Sequence, residues 1–132
     1  SAFKLPILDE SVDVALSVFA PSDMSEMSRI VKKNGLLIKV IPLENHLIEL
    51  KRELYQNVYL NRPVVETNEN FVLDSNEKIE YSFKLKNSSE INSLFKMTPY
   101  YYKTSADAQQ KLMMLNELTV TVSFDICKYI KL

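Results

Sequence analysis

The chain has 132 residues, 46% hydrophobic and 25% charged, which is the balance of a soluble globular domain and the length of one domain at most. A formal net charge of −1 provides no general positive field, so any nucleic-acid contact has to be local. A single cysteine, Cys127, and a single histidine, His46, exclude a zinc site of the usual Cys and His ligands and any disulfide within the chain, which fits a reducing, cytoplasmic setting.

Ser1 to Leu8 has neither a basic start nor a long apolar stretch, so no signal peptide is expected. Val12 to Phe19 is an apolar, Val-rich run with Asp13 its only charge, ending at Ala20-Pro21. It reads as a strand buried on both faces of a parallel sheet. Asp23-Met24-Ser25-Glu26 has the form of a capping box, and Met24, Met27, Ile30 and Val31 fall on one face of the helix it starts. Lys32 and Lys33 suit the negative end of that helix, and Gly35 after Asn34 stands where a left-handed terminating residue is expected. Gly35 is also the only glycine. Phosphate-cradling turns need several, so a nucleotide-binding fold would have its glycine-rich loop outside these residues.

Leu36 to Ile41 predicts a second strand, closed by Pro42 and far shorter than the roughly 20 residues of a membrane helix. Strand, helix and strand at this spacing form a right-handed βαβ unit with a parallel pair. A helix is expected from His46 to Val58, with Leu47, Leu50, Leu54 and Val58 in one stripe, and then a polar loop over Val64 to Asn76. Lys78 to Lys86 alternates as a strand with Ile79, Tyr81, Phe83 and Leu85 on a buried face. Ser88 or Ser89 caps a short helix carrying Ile91, Leu94 and Phe95, which Thr98-Pro99 breaks. Ser105 to Asn116 is helical, and Leu118 to Leu132 is a final alternating strand. Met113, Met114 and Cys127 are expected in the core.

Several segments resemble, in order and at suitable spacing, the large-subunit ribosomal RNA (guanine-N1) methyltransferases. They are Leu5-Pro6 with Asp9 and Ser11-Val12-Asp13, then Phe19-Ala20-Pro21, then Glu26 to Val31 with Lys32 and Gly35. His46-Leu47 with Glu49-Leu50-Lys51 and Tyr55 follows, and finally Met97-Thr98-Pro99-Tyr100. The resemblance implies an α/β fold, the second half of a Rossmann-like class I methyltransferase sheet, with the parallel βαβ followed by an antiparallel strand pair. It implies that residues 1–132 are the carboxyl-terminal part of such a domain, without the family's zinc-binding module and glycine-rich cofactor loop, and inactive alone.

The cofactor so implied is S-adenosyl-L-methionine, not held tightly by these residues alone, and the partner is a large-subunit ribosomal RNA hairpin. Ser1 and Ala2 would lie at the edge of the cofactor site, and Phe19, Ala20 and Pro21 would face the methyl donor and target base. His46 at a helix start would be a neutral imidazole able to take the guanine N1 proton, with the alternative of an exposed capping residue. Glu49, one turn on, either orients His46 or is solvated. Tyr100, Tyr101, Tyr102 and Lys103 combine rings with a cation, as RNA stacking and phosphate contact require, while tyrosines after proline also pack loops onto cores. Tyr102 stands where family members carry tryptophan. Two other readings stay open: part of a small-molecule methyltransferase, and a non-catalytic assembly fragment that self-associates through an exposed sheet edge.

Overall fold

The computed structural model describes residues 1–132, as two compact units. The first holds Ser1–Leu43, Arg62–Ile79 and Phe124–Leu132; the second holds Glu44–Asn61 and Glu80–Ser123. Element order is β1 (Val12–Val18), α1 (Met24–Ile30), β2 (Val31–Pro42), α2 (Ile48–Leu54), β3 (Phe71–Leu85), α3 (Ser88–Lys96), a 3-10 turn (Pro99–Tyr102), α4 (Ala106–Met113) and β4 (Leu118–Lys131). The strands form one sheet in the order β1-β2-β4-β3. β1 and β2 are parallel, as their helical crossover demands, and β4 is antiparallel to β2, with Leu36 opposite Ile130 and Pro42 opposite Phe124. Ion pairs and hydrogen bonds join Asp74 to Lys128, Asn76 to Asp125, Ser82 to Thr121 and Lys84 to Glu117, so numbers rise along β3 as they fall along β4 and this pair is antiparallel too.

In the first unit α1 lays Met24, Met27 and Ile30 on one sheet face, against Leu37, Cys127 and Tyr129. Leu37 is fully enclosed, and burying such a side chain stabilises by roughly 1.5–3 kcal/mol. The other face is less covered. Val14, Leu16 and Val18 of β1 are exposed, Leu16 by 67%, so the expected burial of β1 on both faces is not seen. Asp23 caps α1 through the Ser25 N–H, but Glu26 does not close a capping box. Its carboxylate accepts from the Leu5 N–H at 2.7 Å and from Arg29, whose guanidinium also reaches Asp9 at 2.6 Å and the Ile7 carbonyl at 2.7 Å. One arginine thereby fastens the Leu5–Asp9 segment to α1.

The helix stops at Ile30, earlier than expected, because Val31 is already extended and begins β2. Lys131 donates to the Ser28 carbonyl at 2.5 Å and the Val31 carbonyl at 3.3 Å, satisfying acceptors that a helix end leaves open. Lys32 consequently lies in a strand, paired with Asp13 at 3.2 Å, and Asn34, not Gly35, adopts the left-handed conformation, with φ 63°. Gly35 has a different duty: a Cβ there would lie 2.8 Å from the Lys32 carbonyl oxygen and 2.9 Å from that of Asp13. Only glycine lets β1 and β2 close up where the register slips, Val12 facing Val31 but Val14 facing Leu36.

In the second unit Leu50 and Leu54 of α2, Ile91 and Phe95 of α3, Leu112 of α4 and Val120 of β4 form the core. α2 is shorter than expected. Leu47, left-handed with φ 54°, precedes it, and Tyr55 ends it in an extended conformation, so His46 and Val58 lie outside. Asn87, not Ser88 or Ser89, caps α3, and the Glu90 carboxylate accepts from the Lys86 N–H at 2.7 Å, a reciprocal cap that lets neither serine compete. β3 begins at Phe71, inside the expected loop, and its Tyr81 and Phe83 are exposed, so the face expected to be buried is not covered at these positions. Met114 follows the end of α4 and is exposed, whereas Cys127 is buried as expected.

Candidate functional site

β1 ends at Val18, and Phe19 turns the chain in the left-handed region with φ 49°, a conformation that costs a residue of this kind about 1–2 kcal/mol. Its N–H donates to the Val40 carbonyl at 3.0 Å, and its half-exposed ring stands edge-on to Phe124 at 6.0 Å between centroids. Strain at the carboxyl end of a parallel strand, where α/β sheets bind ligands, is a pointer to function. Ala20 and Pro21 follow and line a cavity of about 230 Å³.

The floor of this cavity comes from the sheet. Ser17 faces Lys39 across β1 and β2, and Lys39 faces Cys127 across β2 and β4. Lys39 is only 6% exposed and pairs with the Glu66 carboxylate; the Tyr129 hydroxyl donates to the Glu66 carbonyl at 2.8 Å. Burial pushes the Tyr129 phenol up to about 12 and raises the Cys127 thiol. Ser22, also on the lining, has a buried hydroxyl with no partner in the protein. A cation, a carboxylate and an unpaired hydroxyl thus meet around one small space.

Ser1 and Ala2 do not line it. The Ser1 carbonyl accepts from Lys4 at 3.1 Å and its hydroxyl from Phe3 at 3.2 Å, which makes a local turn.

The remaining expected residues belong to the second unit. His46 accepts the Ser123 N–H at Nδ1, at 3.1 Å, and burial, aided by Lys51, lowers its pKa. A neutral imidazole engaged in this way carries its proton on Nε2. Glu49 neither orients His46 nor is simply solvated: it accepts from the Thr121 N–H at 2.8 Å and the Thr121 hydroxyl at 2.5 Å, tying α2 to β4.

Tyr100, Tyr101 and Tyr102 share the 3-10 turn that Pro99 initiates. Tyr100 is half-buried, edge-on to Tyr55 at 6.1 Å, with the Lys51 ammonium 5.8 Å from its ring centroid; burial, then Tyr55, raises its pKa. Tyr101 packs edge-on to Phe95 at 5.4 Å. Tyr102 is 85% exposed, and Lys103 beside it is exposed as well. The four residues therefore split into two that pack and two that face solvent.

Sequence reasoning brought out Phe19, Ala20 and Pro21 but missed Ser22, Lys39 and Glu66. Lys39 did leave a signal, as the one charge inside the apolar run Leu36–Ile41. Glu66 left none, being one acid among several in an irregular segment. No helix is long and apolar enough to cross a membrane, and no cluster of residues is suited to a metal ion.

A parallel pair at one end of the sheet, continued by β4 inserted antiparallel between β2 and β3, defines a class I methyltransferase-type fold over part of its extent. Two solved structures share it. One, from Bacillus halodurans C-125 and described as a methyltransferase, matches 99% of this chain and 69% of its own with a TM-score of 0.54 at 16% identity. The other, the YcgJ protein of Bacillus subtilis, matches 99% and 68% with a TM-score of 0.53 at 15% identity.

Sequence is more particular: the chain is similar to proteins named 23S rRNA (guanine-N1) methyltransferases. It is 34% identical over 93% of its length to a Bacillus subtilis protein of that name, YxjB. It is 26% identical over 94% to the 23S rRNA (guanine(748)-N1) methyltransferase of Streptomyces fradiae. The chain spans about half the length of these relatives, 45% and 47% respectively. No protein-family model matches it.

Proposed function

We propose that the chain is the carboxyl-terminal part of a methyltransferase domain that moves a methyl group from S-adenosyl-L-methionine to N1 of a guanine in a large-subunit ribosomal RNA hairpin. The observation that carries this reading is the polar cavity beside the strained Phe19-Ala20-Pro21 turn, at the carboxyl ends of two parallel strands, in a chain whose relatives bear that name. The sulfonium methyl is activated before it is bound, so what falls to the protein is positioning, loss of the N1 proton and exclusion of water.

Phe19, Ala20 and Pro21 suit an apolar wall toward the methyl donor. Gly35, the only glycine, is consumed in strand packing, so these residues supply a wall of the cofactor site and not its glycine-rich loop. Ser1 and Ala2 are assigned to its edge. Exposed Tyr102 and Lys103 supply a stacking ring and a phosphate contact, with Tyr100 and Tyr101 behind them, and His46 contributes a hydrogen-bond donor. By itself the chain is inactive and pairs with a second copy along β1, whose apolar face and outer edge are uncovered.

The test is methylation of ribosomal RNA lacking the modification by the full-length protein, read by mass spectrometry of the nucleosides. N1-methylguanosine is the expected product. Methylation of a small metabolite and not of the RNA would show that the substrate class is wrong.

A further inference from the structure

Resting on that reading, we propose that Lys39, Glu66 and Ser22 form the pocket that reads the Watson–Crick edge of the target guanine, with Glu66 receiving its N1 proton. Charged side chains are seldom buried unless paired, and a pair contributes little that an apolar residue of the same size would not. A lysine buried on the sheet floor and turned to a cavity, not to closed core, therefore points to a ligand. So does the buried Ser22 hydroxyl, since polar atoms removed from water nearly always have a partner.

The pair also matches the edge it would meet. Guanine presents an acceptor at O6 beside two donors, N1–H and N2–H; an ammonium meets the first and a carboxylate accepts both of the others side by side. Adenine has no such pair of adjacent donors. Pro21, Ile41 and Val64 add apolar lining for a flat ring. In the transfer the N1–H bond breaks as its proton passes to a Glu66 oxygen, and the N1 electron pair forms the bond to the methyl carbon. The sulfur–carbon bond breaks with its electrons left on sulfur. The Lys39 ammonium holds the negative charge that develops on O6.

The test uses the full-length protein in steady-state turnover of unmodified ribosomal RNA, with the target guanosine intact or replaced by inosine, which lacks the N2 amino group. For Glu66→Gln we expect a fall in kcat of about 10²–10⁴-fold, the range of a lost proton acceptor, with RNA affinity and melting temperature close to wild type. Wild type should disfavour inosine by about tenfold or more, the worth of one polar contact, and Glu66→Gln should lose that preference. Acetate added to Glu66→Ala should restore part of the rate.

Should Glu66→Gln not fold, Ser22→Ala removes a single hydroxyl and should raise KM for the guanosine substrate with kcat nearly unchanged. Normal kcat in Glu66→Gln, or inosine discrimination equal to wild type, would make the pair structural and overturn the proposal. If wild type itself places no methyl on guanine N1, the functional reading fails and this inference with it.

Discussion

Replacing Gly35 by alanine tests the packing that makes β1 and β2 a parallel pair. The new methyl group would lie 2.8 Å from the Lys32 carbonyl oxygen, 2.8 Å from Val31 Cγ1 and 2.9 Å from the Asp13 carbonyl oxygen, each half an ångström or more short of an ordinary 3.4 Å contact. Val31 is itself fully buried, and two of the three atoms are backbone, so relief requires the strands to part where the register slips. Overpacking of this kind costs about 1–3 kcal/mol and belongs at the upper end here, while alanine recovers about 0.4–1 kcal/mol by restricting the unfolded chain. A net loss of about 2 kcal/mol follows, which for a chain of this length lowers the melting temperature by roughly 6–10 °C. Urea and thermal unfolding followed by circular dichroism measure both. A Gly35→Ala variant within about 0.5 kcal/mol of wild type would mean that the close approach is not present in solution and that the strand pairing has been misread.

Lowering the pH should destabilise the fold in two stages. His46 has a folded pKa below 6.5, chiefly through burial, so its contribution is present above 6.5 and is lost as pH falls through the lower folded value; nitrogen-detected NMR should find Nδ1 unprotonated at neutral pH. Glu26 is held at about 2 by Arg29 and the Leu5 N–H, so its contribution is present above 4.5 and disappears toward 2; Glu26→Gln should flatten that limb of the stability profile, and an unchanged limb would clear Glu26 of the role. Tyr102→Ala should leave stability within about 0.5 kcal/mol yet weaken RNA binding by the full-length protein, whereas Phe95→Ala should cost about 3–5 kcal/mol; equal effects on unfolding would contradict the split in the aromatic turn. Leu16→Lys places a charge on the exposed face of β1 and should shift the chain toward monomer in sedimentation velocity without lowering its melting temperature, and a wild type already monomeric at high concentration would remove self-association.

The sequence made the βαβ unit, the helix cap at Asp23 and the long final strand legible, because period and capping are local properties. Burial was less so. Apolar periodicity cannot tell a covered face from an uncovered one, and Val14, Leu16 and Val18 read as core only on the assumption of neighbours on both sides. The end of α1 was misplaced because the device that ends it, Lys131 on the helix carbonyls, lies about a hundred residues away in the chain. The same reason hid the cavity: Ser22, Lys39 and Glu66 are gathered by the fold, and each alone has an ordinary setting in the sequence.

The buried charges of the first unit separate structural duty from chemical duty. Lys131 ends on the carbonyls of Ser28 and Val31, so its burial is accounted for by the helix end it satisfies. Asp125, almost fully enclosed, accepts from the Asn76 amide at 3.2 Å. Lys39 differs from both, for its partner is a carboxylate on an irregular segment and the pair borders open volume that Ser22 also faces without a bond. Were packing its only task, a leucine or methionine on β2 would meet it at no desolvation cost. Retaining a cation there is intelligible when a third group, itself an acceptor flanked by donors, completes the arrangement, and the edge of guanine that carries N1 is such a group.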